Sequence, residues 1–231
     1  MVKGKRRWKM TKARPILYST EMVQAILEDR KTQTRRDKNL DKVNDFDFYS
    51  KGLIDDELIF EFDGYDDLND RVVFEYIKSP YGKPGDILWV RETFMIMPRE
   101  GFFTYKATHP LFKKAAFRNQ ILRDEGLKWK PSIFMPKEAC RLFLKIKDIR
   151  VERLNDISHA DAIAEGIEVI KKLEDVILYK DYNDASHFFQ RADYSFCSLW
   201  EKINGKDSWK ANPWVWVIEF EKIEKPEGWP W

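Results

Sequence analysis

"RLFLKIKDIRVERL" (residues 141–154) is apolar at Leu142, Leu144 and Ile146, then at Ile149 and Val151. Side chains of a strand alternate between faces, so this even-to-odd change of phase around Lys147 and Asp148 requires an extra residue. It predicts a bulge or kink, as in a barrel strand that turns a corner. The stretch that follows, "DISHADAIAEGI" (156–167), reads as a helix. Ser158 is its N-cap with Asp161 three residues on, Ile157 is a hydrophobic staple, Glu165 ends it, and Gly166 stands at C′.

Working outward, "NPWVWVIEFEKI" (212–223) sets Trp214, Trp216, Ile218 and Phe220 against Val215, Val217, Glu219 and Glu221, the alternation of a half-buried strand. In "SPYGKPGDILWVRETF" (79–94) a turn rich in Pro and Gly leads into a strand over 86–94. Arg91 and Glu92 point to opposite sides of it, so one of them lines the interior or a groove. "STEMVQAILEDR" (19–30) gathers Met22, Val23, Ile26 and Leu27 on one helical face, with Ser19 or Thr20 as N-cap. If extended, "KTQTRRD" (31–37) then offers Thr32, Thr34 and Arg36 to one side and leaves Gln33 and Arg35 facing outward. A further strand is expected over 102–106. In "ASHFFQRADYSFCSLWEKING" (185–205) the aromatic stripe from Phe188 to Ile203 has helical spacing and is closed by Gly205.

Strands separated in sequence by helices give an α+β fold, expected as a small mixed or antiparallel barrel decorated by helices. The expected organisation is a basic N-terminal arm over 1–14 and one domain over 15–231. That domain carries insertions at about 37–78, 95–131 and 171–187.

With 231 residues, 43% hydrophobic and 15% aromatic, the chain has ample material for a core. The basic start is followed by no apolar run of signal or membrane-span length, so a soluble cytoplasmic protein with no membrane partner is expected. Cys140 and Cys197 stand apart without a CxxC, and His109, His159 and His187 are scattered, so neither a metal nor another cofactor is expected. There is no Walker loop, dinucleotide fingerprint, HExxH or GxSxG. The net charge of +2 conceals a dipole: seven cations and no acid in 1–14, against twelve acids and three lysines in 37–70. The arm, with Lys5, Arg6 and Arg7, could lie along a phosphate backbone or serve as a solubilising tail.

Two readings attach to the candidate chemistry. Lys31, Arg35 and Arg36 after a helix complement its dipole, which explains them structurally. Alternatively, Lys31, with its pKa lowered by neighbouring cations and burial, is a base toward the Thr34 hydroxyl. Glu165, at the negative end of its helix, is either solvated or a proton donor. The tryptophans either fill the core or offer platforms for bases.

Four segments together resemble one family. "ILEDRKTQTRRD", "GKPGDILWVRETF", "RVERLNDISHADAIAEGI" and "NPWVWVIEF" are similar, in order and spacing, to the conserved blocks of the ASCH domain, a PUA-like barrel. "WKPSIFMPKEACRLFLKIKDIRVERL" adds a likeness to longer, phage-encoded proteins of this type, for which the location would be the host cytoplasm. The resemblance implies a cleft beside the barrel that accepts a nucleobase, a modified nucleoside or RNA. Some small family members are amidohydrolases acting on N4-acetylcytidine. On that likeness Lys31, Thr34 and Glu165 match the catalytic set. Arg36 matches the motif arginine, expected to anchor the site or to hold a carboxylate such as Glu92. Asp29 stands where the motif usually has glycine, a position where aspartate tolerates left-handed backbone. A non-catalytic binding module, using the arm and the cations Lys113, Lys114, Arg118, Arg123, Lys128 and Lys130, is the alternative; a ribonuclease is a third.

Overall fold

The computed structural model describes residues 12–65, 72–97, 101–109 and 128–229. The expected arm residues Lys5, Arg6 and Arg7, and the cations Lys113, Lys114, Arg118 and Arg123, lie outside these. Among these residues, strands β1 (Ala13–Leu17), β2 (Gln33–Arg36), β3 (Asp47–Ile54), β4 (Glu57–Tyr65), β5 (Val72–Lys78), β6 (Ile87–Arg91), β7 (Phe94–Ile96), β8 (Phe103–Tyr105), β9 (Phe143–Arg153), β10 (Val169–Lys172), β11 (Ile177–Lys180), β12 (Phe188–Phe189) and β13 (Trp214–Ile223) accompany the α-helices α1 (Thr20–Leu27), α2 (His159–Ala164) and α3 (Ala192–Asn204). The fold is mixed α+β and dominated by sheet.

The central sheet has the order β1-β6-β9-β13-β2, parallel between β1 and β6 and antiparallel elsewhere. The phase change in β9 is a bulge: Glu219 of β13 faces Asp148 and Phe220 faces Ile146, leaving Lys147 as the extra residue. Its effect is to keep Leu144 and Ile146, before the bulge, and Ile149 and Val151, after it, in one core. A three-stranded antiparallel sheet, β3-β4-β5, covers that core; Phe60 meets Trp216 edge-on at 4.8 Å and Phe62 meets Trp214 at 5.6 Å. On the opposite face, Val215 and Val217 of β13 pack with Leu154, Ile157 and Ala162 around α2 and with Phe196 and Trp200 of α3. A third cluster joins Trp89, Phe143 and Trp229, so Trp229 is a core residue and not an exposed platform.

The expected closed barrel is not formed among the described residues; β1 and β2 are the two free edges of an open sheet. Pro15 supplies the reason. The N–H of Tyr18 bonds to Arg91 and the carbonyl of Lys12 accepts from Ile87, so even-numbered residues of β1 address β6 and odd-numbered ones face the open edge. Pro15 therefore presents no N–H there, and the Leu17 carbonyl is satisfied by the Arg36 side chain at 2.8 Å instead of by a strand. Two other expectations also change. The strand over 86–94 is interrupted between β6 and β7, where the buried Glu92 is clamped by Arg141. Phe188 and Phe189 form β12, paired with β11, so the helix begins only at Ala192. The insertions hold sheet structure: β3 to β5 in the first, the β7–β8 pair in the second, and parts of β10-β11-β12 around the third. No helix among the described residues is long and apolar enough to cross a membrane.

Candidate functional site

Helix α1 starts at Ser19, whose hydroxyl accepts from the Met22 N–H, and ends in a Schellman turn. Asp29 takes the left-handed conformation at φ 56°, Asp29 N–H bonds to the Ile26 carbonyl and Arg30 N–H bonds to the Ala25 carbonyl. Aspartate thus serves where glycine would be usual. The turn delivers Lys31 against the end of α2, where Lys31 and Glu165 form an isolated bridge and Thr32 N–H bonds to the Ala164 carbonyl at 2.9 Å. Helix α2 begins at Ser158, whose hydroxyl accepts from Asp161 N–H, and turns at Gly166, as its sequence predicts.

Lys31 and Glu165 are both buried. Lys31 Nζ donates to Glu165 Oε2 at 2.7 Å and to the Glu165 carbonyl at 2.8 Å. Arg35 donates to the other carboxylate oxygen, Oε1, at 3.1 Å. Burial pushes the Lys31 ammonium below the usual lysine range; Glu165 opposes that shift, while Arg36 and Arg35 add to it. Tyr18 lies beneath: its ring is 5.9 Å from Lys31 Nζ and 5.2 Å from the Arg36 guanidinium, and its buried hydroxyl faces the Thr34 side chain without closing a hydrogen bond. Burial raises the Tyr18 phenol well above its ordinary value.

A cleft of about 60 Å³ runs along the free edge of β2. Thr34, Arg36 and Glu165 line one side, and Phe196, Trp200 and Ile203 of α3 the other. Trp200 is buried with its indole N–H unpaired. Lys31, Thr34 and Glu165 are therefore brought together, with Arg36 at the rim. Arg91 and Glu92 are not. Arg91 donates to the Ile133 carbonyl and stacks on Trp89 at 5.6 Å, while Glu92 is gripped by Arg141 through two bonds, of 2.9 and 3.0 Å. The expectation that Arg36 holds Glu92 is corrected accordingly, because Arg36 is spent on Leu17 and Tyr18.

The largest correction concerns Gln33 and Arg35, expected to face outward. Both are buried. Their side of β2 meets α2 and the second half of β9, and Arg35 contacts Glu152, Asp161 and Glu165 with its ring-facing side 5.8 Å from Phe196. Arg150 ties Glu152, Asp161 and Glu219 into the same network. Burial alone would raise Asp161, but Arg35 and Arg150 hold it below its ordinary 3.8.

Gly166 allows the close approach at this site. A Cβ there would lie 2.7 Å from Lys31 Cβ and 3.2 Å from Lys31 Cα, and its φ is 82°. Gly166→Ala is expected to cost about 2–4 kcal/mol, from left-handed strain plus overpacking, and to reduce any Lys31-dependent activity; denaturant unfolding and an activity assay check it.

Comparison with known protein families, with curated proteins and with solved structures finds no match for this chain. The likeness to ASCH domains rests on its four sequence blocks.

Proposed function

We propose that the chain is an ASCH-type, PUA-like protein that binds a modified nucleoside, free or in RNA, and hydrolyses an N4-acyl amide of the cytidine kind. The observation that carries the reading is the buried contact of Lys31 Nζ with Glu165 at 2.7 Å, directly behind a cleft that Glu165 and Thr34 line.

In this reading a water, or the Thr34 hydroxyl, adds to the acyl carbonyl. Neutral Lys31 takes the nucleophile's proton and, as ammonium, returns it to the departing N4 amine. The acyl C–N bond breaks. Where Thr34 is the nucleophile, the acyl-threonine ester is then cleaved by a water that gives its proton, through Lys31, back to Thr34 Oγ1. On either route one water is consumed, its hydroxyl in the acid and a hydrogen gained by the amine. Glu165 fixes Lys31 and accepts from it, so the proton donor of the resting pair is Lys31 and not the glutamate. The unpaired N–H of Trp200, which lines the cleft, is available to a polar atom of the ligand.

N4-acetylcytidine incubated with the purified chain should be converted to cytidine, and Lys31→Met should lower kcat/KM by about 10²–10⁴-fold, the range of a general base. An untouched substrate, or a Lys31→Met variant equal to wild type, overturns the reading. The rate should also rise with pH as Lys31 loses its proton, with a midpoint below the ordinary lysine value of 10.5. A pH–rate profile with no such limb below that value contradicts the assignment of the base.

A further inference from the structure

Among the described residues, no other element of the fold lies on the outer face of the β3-β4-β5 sheet. Its inner face is spent on Trp214 and Trp216, so residues along β4 alternate between core and solvent, while β3 shifts register by a bulge between Phe48 and Ser50. The solvent face combines rings with carboxylates. Tyr49 and Tyr76 are 64% and 59% exposed, and Phe74 is 46% exposed and meets Tyr49 edge-on at 5.9 Å. The register places Asp63 beside Phe74 on one row, and Glu61 beside Tyr76 on the next. Across the other strand pair Asp63 stands directly opposite Asp47, and no cation pairs with either among the described residues.

Like charges directly opposite destabilise a sheet, and exposed rings on a flat face cost solvation, so stability explains neither feature. Glu61 is also held ready: Ser50 and Tyr76 donate to its two oxygens at 2.9 and 3.0 Å, which fixes the carboxylate at the surface. Lys78, on the next row of the same face, is paired with Glu57, so the charge left over beside the rings is acidic and disfavours phosphate. What it fits is a guanidinium, which accepts a carboxylate edge-on and a ring face-on at once.

Spacing narrows the occupant further. The Asp63–Phe74 and Glu61–Tyr76 rows are two residues apart along β4, which is roughly 6.7 Å in a strand. That is also the separation of side chains i and i+2 of an extended peptide, which point to one side. We propose that this face docks an extended polypeptide segment carrying arginines two residues apart, Arg-x-Arg, from a partner protein. The cleft on the far side of the central sheet stays open to its own ligand, so this inference does not depend on the proposed function.

The test is titration of the full chain with a labelled extended peptide containing Arg-x-Arg, read by anisotropy at two salt concentrations. Saturable, salt-sensitive binding is expected, weaker by about tenfold or more in Glu61→Gln/Asp63→Asn, in line with the loss of charge-assisted bonds. Tyr76→Ser should weaken it as well, and a Lys-x-Lys peptide should bind several-fold less tightly. All of these positions lie on the solvent face, so each variant should still melt cooperatively, which a thermal melt checks before the titration. Absence of saturable binding, or equal binding by Glu61→Gln/Asp63→Asn, overturns the proposal. So does binding that appears only after residues 1–11 are removed, which would make the chain's own cations the occupant. Displacement of the peptide from this face by an oligonucleotide of equal length overturns it as well.

Discussion

Glu165→Ala is expected to lower the unfolding free energy by about 3–5 kcal/mol and to abolish hydrolysis, because it strips a buried ion pair of one partner. Three donations end on Glu165: two from Lys31 Nζ, to a carboxylate oxygen and to the backbone carbonyl, and one from Arg35. Only the carbonyl survives the substitution. Lys31 could shed its proton in response, but Arg35 cannot, and it would keep only Glu152 and Asp161. The loss of stability does not by itself show that the pair exists for chemistry. The double variant Lys31→Met/Glu165→Met separates the two roles. Replacing both members with apolar residues removes the desolvation cost together with the attraction, so most of the lost stability should return. The activity should not. Chemical denaturation of the three proteins, set beside their hydrolysis rates, checks both halves.

Arg35→Ala should be of similar size, about 3–5 kcal/mol, and it acts from the opposite sign of charge. The guanidinium is fully enclosed and meets three carboxylates, on β9 and along α2. Removing it leaves Glu165 with Lys31 alone and Asp161 with Arg150. Carboxylates that the cation held ionised would then take up protons more easily, so the variant's deficit should shrink as pH falls toward the ordinary carboxylate values. The sign follows from Asp161: its folded value lies below 3.8 partly because of Arg35, so the stability it lends is present above 3.8 and lost as pH falls. Unfolding midpoints at neutral and acid pH, for wild type and Arg35→Ala, measure this. Arg35→Lys should recover only part of the loss, since an ammonium cannot address three carboxylates with the reach of the planar fork.

Arg35 also marks where reading the sequence succeeded and where it stopped. The bulge at Lys147 and the caps of α1 and α2 follow from local rules, and local rules are legible in one chain; β13 is a strand as expected, but it is buried on both faces from Trp214 to Ile218 and not half-buried, because α2 and α3 cover its valine side. The encounter of Lys31, Thr34 and Glu165 was reached through resemblance, and their packing around Tyr18 is consistent with it. Outward placement of Gln33 and Arg35 failed because β2 has a core on both faces, and alternation cannot reveal that for a four-residue strand. A signal was available. Asp161 and Glu165 are four residues apart on one side of the α2 segment, and like charges at that spacing repel unless a cation from elsewhere meets them. Closure of the barrel failed at Pro15, whose missing N–H faces the open edge, a direction set by the parallel register with β6. Assignment of Glu92 failed because Arg141, its real partner, lies 49 residues further on.

The central claim is that the Lys31–Glu165 pair is a chemical centre and not only a support between two helix ends. The most direct measurement is the rate of N4-acetylcytidine hydrolysis by wild type and by Lys31→Met/Glu165→Met, each first shown to be folded by a cooperative melt. Turnover by wild type and none by the equally folded double variant is the predicted result. Equal rates in the two proteins, or no turnover by either, would contradict it.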